Sequence, residues 1–267
     1  MAQSASIIVE RDGAVTTVTL NRPHVLNAMD TPMHHALQAA FDAFAADRSQ
    51  RICVVTGAGE RAFCAGSDLK YATEMAAAGR REEMVYPANG YAGLTQRFDL
   101  DKPIIAAVNG IALGGGFEIA LACDLIIASD TARFGLPEPL VGAMALGGGV
   151  HRLARQIGLK QATGMVLTGR SIDAREALRL GVVNEVVAAS DLQDAVGRWV
   201  EAILRCSPAA LAASKQSMMR GLDEPSLGAA MERQENYPAF VALRQSPDSK
   251  EGPRAFAEKR APRWADN

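Results

Sequence analysis

A chain of 267 residues, 48% hydrophobic and 22% charged, has the composition of an ordinary folded protein and is long enough to bury a substantial core. Its 28 basic and 30 acidic side chains leave a net charge of -2, which argues against the basic surface of a nucleic-acid binder. Four separated cysteines, Cys53, Cys64, Cys123 and Cys206, form no CxxC and no metal-ligand spacing, so free thiols in a reducing cytoplasm are expected.

The amino-terminal MAQSASIIVE lacks a basic segment ahead of an apolar run, so no secretory leader is expected. No apolar stretch reaches the roughly 18 residues that a membrane span needs. SIIVERDG and AVTTVTLNRP are rich in β-branched residues around Asp12-Gly13, which predicts a hairpin. Asp30 or Thr31 then reads as the N-cap of a helix with Pro32 in its first turn. RICVVTGAG, IIAAVNG and DLIIASD are short apolar runs that read as strands, two of them followed by glycine turns and helices. Strand, turn and helix in alternation predict an α/β core with parallel strands. After about residue 146 helical patterns dominate, with Asp173 as an N-cap and VVNEVV as the one clear late strand. From Leu192 to Ala265 the pattern is helix broken at Ser-Pro, Glu-Pro and Gly-Pro pairs.

Three segments carry chemistry. In VNGIALGGGFEIALACD a glycine turn opens a helix, and Glu118 stands one turn along in apolar surroundings. The first N–H groups of a helix lack intrahelical acceptors, so such a turn can hold a phosphate or a developing oxyanion. The spacing is not GxGxxG, and the glycines can equally serve tight packing alone. In TGAGERAFCAGSDLKYA a second glycine-flanked turn leads into a helix, with Ser67 or Asp68 as N-cap. Two such turns side by side would supply two convergent N–H donors. In ARFGLPEPLVGAMALGGGVHRL, Glu138 lies between Pro137 and Pro139. It reads either as an acid/base partner for Glu118 or as one half of an ion pair with Arg133 or Arg152. The four histidines, His24, His34, His35 and His151, read as surface or packing residues, and no metal site is expected.

LNRPHVLNAMD, VVTGAGERAFCAGSDLK, KPIIAAVNGIALGGGFEIALACDLIIAS, ARFGLPEPLVGAMALGGGVHRL, VLTGRSIDAREALRLGVVNEVV and EGPRAFAEKRAPRW, in that order, resemble the enoyl-CoA hydratase/isomerase (crotonase) superfamily. Inside it, GYAGLTQRFDLDKPIIAAVNG, GGGFEIALA and EGPRAFAEKRAPRW are most similar to the carnitinyl-CoA dehydratase and enoyl-CoA hydratase branch. The resemblance implies a crotonase-like α/β spiral of ββα turns with a C-terminal α-helical region. It divides the chain into a core over 1–200, with the CoA and catalytic site, and a helical oligomerisation region over 201–267. It implies a homotrimer or a dimer of trimers, cytoplasmic, with no nucleic-acid or membrane partner.

The resemblance also implies hydration of the 2,3 double bond of an acyl-CoA thioester, with Glu118 and Glu138 as the catalytic pair. The backbone N–H groups of Ser67 and Gly115 would form the oxyanion hole. CoA contacts map onto Ala62, Ala65, Ser67, Asp68, Leu69, Gly115, Phe256 and Lys259. No cofactor is expected, since coenzyme A is part of the substrate. The alternatives are a carnitinyl-CoA (crotonobetainyl-CoA) substrate, for which Tyr86, Tyr91 and Phe117 are candidate contacts to a quaternary ammonium, and a double-bond isomerase using one carboxylate. Residues 72–90 line the pocket in relatives.

Overall fold

The computed structural model describes residues 5–265. The hairpin forms as its composition predicts: β1 (Ile7–Asp12) pairs antiparallel with β2 (Val15–Leu20), and Gly13 turns between them at φ +54°. Helix α1 (Thr31–Ala46) starts at Asp30, whose side chain accepts the Met33 N–H at 2.9 Å, and it buries Met33, Leu37, Phe41 and Phe44.

From there the chain repeats one manoeuvre. A strand joins a large sheet, a short strand joins a small one, and a helix follows. The first turn is β3 (Ile52–Gly57), β4 (Ala62–Cys64) and α2 (Leu69–Ala77). The second is β5 (Ile104–Val108), β6 (Ile111–Leu113) and α3 (Gly115–Ala122). The third is β7 (Leu125–Ser129) and β8 (Arg133–Gly135), then α4 (Gly149–Ile157) and α5 (Leu159–Thr168). A strand β9 (Ser171–Asp173), helix α6 (Ala174–Leu180), strand β10 (Glu185–Val187) and helix α7 (Leu192–Leu204) complete this part. Asp173 caps α6, accepting the Glu176 N–H at 2.8 Å.

The large sheet has the order β1-β2-β3-β5-β7-β10 and is parallel apart from the β1–β2 hairpin. The small sheet has the order β4-β6-β8-β9, with β8 and β9 antiparallel. The small sheet and β9 are the departures from the sequence reading. Each of its strands is three residues long, too short for a hydrophobic period to show.

Side chains of the central strands alternate between two cores, as strand geometry demands. Cys53, Val55, Ala106, Val108 and Ile126 join α1, α3 and the small sheet, while Ile52, Val54, Ile105, Ala107 and Ile127 pack with Leu192, Ala195 and Val196 of α7. Beyond Leu204 the described residues form α8 (Pro208–Gly221), α9 (Leu227–Arg233), α10 (Pro238–Gln245) and α11 (Asp248–Ala257). The break expected at Gly252-Pro253 does not occur, because Pro253 lies inside α11. That helix is held by outside contacts: Arg260 grips Glu251, and the Ala265 N–H donates to Asp248.

Helix α3 reaches the small sheet through Gly116, where a Cβ would run into the Cys64 carbonyl. Gly116→Ala is therefore expected to lower stability by about 2 kcal/mol, within the range for overpacking a closed contact. Gly164→Ala, in an open stretch of α5, should instead stabilise by about 0.5–1 kcal/mol. Urea melts of the two variants check both signs. An unchanged midpoint for Gly116→Ala would show that the α3–β4 contact is not rigid.

Candidate active site

Two backbone turns meet at the ends of β4 and β6. The first is anchored from outside. Met29 bridges Ser67 through the Gly66 carbonyl and the Asp68 N–H, a pairing in which the Ser67 N–H takes no part. The Asp68 carboxylate caps α2 through the Tyr71 N–H and pairs with Arg22 at 3.0 Å, and Arg22 also reaches Asp30 at 3.2 Å. Asp68, rather than Ser67, is thus the cap, and its carboxylate is committed to holding the turn. Ala62 is buried in β4, Ala65 is half-buried, and Ser67 and Leu69 are exposed beside it.

The second turn is Gly114-Gly115. Gly114 has φ +54° and ψ -128°, a conformation that side chains forbid, and it opens α3. Gly115 lies in the first turn of that helix, where its N–H has no intrahelical acceptor. The two turns touch: a Cβ on Gly66 would lie 3.2 Å from the Gly115 nitrogen.

Glu118 follows one turn into α3, only 3% exposed. Its Oε1 accepts the Gly149 N–H at 2.8 Å, and the backbone of Gly147 and Gly149 crowds the carboxyl so closely that neither position has room for a Cβ. Burial pushes the Glu118 carboxyl up to about 7. The glycine N–H groups oppose that shift, and the Glu138 charge adds to it. Arg152 steadies this loop by donating to the Gly147 carbonyl at 3.3 Å and to the Thr95 carbonyl at 2.7 Å.

Glu138 begins a short 3-10 turn, Glu138–Val141, after Pro137. Its Oε1 faces Gly114, at 3.0 Å from where a Cβ would stand. Its Oε2 is buried with no hydrogen-bond partner among the described residues. The ion-pair reading of Glu138 does not hold, because Arg133 donates to Ser171 and Arg152 to carbonyls. Burial raises the Glu138 carboxyl as well. A buried and a half-buried acid on either side of one glycine turn can pass protons in opposite senses.

Three features are not evident in the residue pattern. The Gly147–Gly149 cradle is visible in sequence only as a second glycine run before a helix. Tyr91 has its hydroxyl 3.3 Å from Ser67 Oγ and its ring end against Gly115. His34, buried in α1, stacks edge-on against both Tyr86 and Tyr91 with centroids at 5.1 and 4.4 Å. Phe117 leaves the group of candidate pocket aromatics, since it is fully buried against Phe134 at 5.5 Å. Phe256 and Lys259 lie at the end of α11, Phe256 being 87% exposed. Neither side chain makes a hydrogen bond or ion pair to residues 62–69 among the described residues. No cluster of three or more His, Cys, Asp or Glu side chains suited to a metal occurs among the described residues, and none of their helices is long and apolar enough to cross a membrane.

A family model described as enoyl-CoA hydratase/isomerase matches residues 10–267. A carnitinyl-CoA dehydratase of Proteus mirabilis (strain HI4320) is 43% identical over 263 residues, covering 98% of each chain. One from Salmonella enteritidis PT4 (strain P125109) is 42% identical over 262 residues, again 98% of each. Among solved structures, an enoyl-CoA hydratase from Bacillus anthracis is similar with a TM-score of 0.88 and 32% identity, over 98% of this chain and 100% of that one. An enoyl-CoA hydratase from Mycobacterium tuberculosis H37Rv has a TM-score of 0.88 and 34% identity, over 98% and 99%.

The raised Glu118 carboxyl has a thermodynamic consequence. Its folded pKa of about 7 exceeds the ordinary 4.5, so the folded state holds the proton more tightly than the unfolded state. That contribution to stability is complete below about 4.5 and is lost as the pH rises through about 7. Glu118→Gln, permanently neutral, should therefore gain stability relative to the parent by about 3 kcal/mol between pH 4.5 and pH 8. Paired urea melts across that range check it, and a pH-independent difference would show that Glu118 titrates as an ordinary carboxylate.

Proposed function

The chain belongs to the enoyl-CoA hydratase/isomerase family and is an enzyme of the hydro-lyase type, and we propose that it reversibly adds water across the 2,3 double bond of an acyl-CoA thioester. The observation that carries this reading is the pair of carboxyls, buried Glu118 and half-buried Glu138, flanking the Gly114-Gly115 turn. Burial raises both. The isomerase alternative needs one carboxylate and leaves the second without a task.

The hard step places negative charge on the thioester oxygen as an enolate forms. In this reading the Ser67 and Gly115 N–H groups receive that oxygen, preorganised by the bridge to Met29 and by the Gly114 turn. The Glu118 carboxylate takes a proton from the water that attacks C3. The Glu138 carboxyl, raised by burial, gives its proton to C2. Elimination runs the same transfers backwards. Coenzyme A would lie along Ala62, Ala65, Ser67, Asp68 and Leu69, with Phe256 and Lys259 as proposed nucleotide contacts. A homotrimer or dimer of trimers is proposed through the helical region 201–267, supported by exposed apolar side chains on α8 and α9 such as Met218, Leu227 and Met231. A cytoplasmic setting accords with cysteines that are all unpaired.

A second reading, carnitinyl-CoA as the product and crotonobetainyl-CoA as the substrate, is favoured by the names of the relatives above. Tyr86 and Tyr91, with centroids 5.6 Å apart, support it as aromatic faces near the acyl site for a quaternary ammonium.

Glu118→Gln and Glu138→Gln are each expected to slow hydration of crotonyl-CoA by at least about a hundredfold, the low end for positioned acid/base groups. Loss of the conjugated-thioester absorbance measures it, and near-normal turnover in either variant would sink the paired mechanism. In the parent enzyme kcat/KM should fall below about pH 7 as Glu118 gains its proton. A higher kcat/KM for crotonobetainyl-CoA than for crotonyl-CoA would establish the second reading.

A further inference from the structure

Tyr91 touches both donor turns and belongs to neither. Its phenol end lies on Gly115, where a Cβ would fall on the ring carbon and the hydroxyl. The hydroxyl is 3.3 Å from Ser67 Oγ, and no other hydrogen-bond partner reaches it among the described residues. The side chain is 5% exposed, and burial keeps the phenol protonated well beyond its ordinary range.

The backbone that aims it is strained and well fixed. Gly90, Ala92 and Gly93 all have positive φ, at +77°, +57° and +61°. A left-handed alanine persists only where its surroundings over-determine it. Here the Ala92 N–H donates to His34 Nδ1 at 2.9 Å, and Gly93 is pressed on the backbone of Gln38 in α1. Burial lowers His34 to about 4, so its imidazole stays neutral and keeps Nδ1 free to accept. The His34 ring meets Tyr91 edge-on at 79°. Helix α1 thus holds Tyr91 from behind while its hydroxyl end bridges the two turns.

We propose that Tyr91 is a positioning residue for the oxyanion site, its hydroxyl tying the Ser67 turn to the Gly115 turn so that their two N–H groups converge on the thioester oxygen. This rests on the hydratase reading for the identity of the acceptor, an acyl-CoA thioester carbonyl. Tyr91→Phe keeps the ring against Gly115 and His34 and removes only the link to Ser67. Ser67→Ala keeps the Ser67 N–H and removes the same link from the other side, along with the bond between Ser67 and Tyr86.

The test uses a chromophoric aryl-acryloyl-CoA thioester, whose absorbance moves to the red when its carbonyl is polarised. With the parent protein the bound thioester should show that shift. Tyr91→Phe should reduce the shift and lower kcat on crotonyl-CoA about tenfold, below the full cost of losing a donor, while KM stays within about threefold. Ser67→Ala should do the same, and the double variant should be no worse than either single one. A purely structural role would move the melting temperature and leave the shift per bound thioester intact. A Tyr91→Phe protein with parental shift and kcat overturns the proposal, as do additive losses in the double variant. If Tyr91→Phe fails to fold, Ser67→Ala alone decides, a parental shift and kcat overturning the proposal. The shift is read without turnover. A parent protein that polarises the thioester in a Tyr91-dependent way but does not hydrate crotonyl-CoA ends the hydratase reading and leaves this one standing. A parent protein that binds the thioester with no shift ends both.

Discussion

The site depends on a contact that only glycine permits. Gly66 lies against the Gly115 nitrogen, and Gly116 lies on the Cys64 carbonyl, so the start of α3 seats directly on the end of β4. A Cβ at Gly116 would force helix and strand apart, and the two turns would no longer face one point. From that seating the rest follows by covalent geometry. Glu118 is carried one turn along α3, into the core and beneath the glycine run that precedes α4. Because Gly115 is the first residue of α3, its N–H is free for a ligand while the helix behind it stays closed.

Placing a carboxyl in such a position opposes folding, and the structure shows how the opposition is limited. Glu118 keeps an N–H from Gly149 and a charged neighbour in Arg152, and its remaining desolvation appears as a raised pKa. Glu138 is compensated less, since one of its oxygens has no partner at all among the described residues. Burial raises both carboxyls, Glu118 to about 7 even with its N–H partners, so each side chain opposes folding in its charged form. Apolar side chains at both positions would avoid that cost, and a retained cost of this kind is the mark of a candidate functional site.

Much of this was legible in the amino-acid pattern, and the illegible parts share a cause. Asp30 and Asp173 announce their helices because capping is a local hydrogen bond between residues three apart. Glu118 and Glu138 stand out because a charge amid apolar residues conflicts with its surroundings. The small sheet does not stand out, because three-residue strands have no measurable period. His34 and the Gly147–Gly149 cradle are equally hidden, each meeting a partner tens of residues away, and Tyr91, in view as a candidate aromatic contact, gives no local sign of its place between the two turns. Phe117, a candidate aromatic contact in the sequence, is a packing residue of α3 whose ring meets Phe134 of β8. Pro253 shows the converse, a local breaker overridden by ion pairs from beyond the helix.

The candidate groups are carried on two kinds of backbone. The two donor turns and Glu118 sit at the ends of strands and in the first turn of a helix, where position is set by sheet register and core packing. The aromatic group made by Tyr86 and Tyr91 sits instead on a run of turns between α2 and β5, tied to the core through His34 and Gln38. Proton transfer tolerates little displacement, whereas recognition of an acyl tail can change with a loop. Tyr91 lies where the two regimes meet. Its backbone belongs to the run of turns, while its hydroxyl reaches the turns at the ends of β4 and β6. A change in that segment would therefore reach the turns as well, through Tyr91 and through Tyr86, which also bonds Ser67.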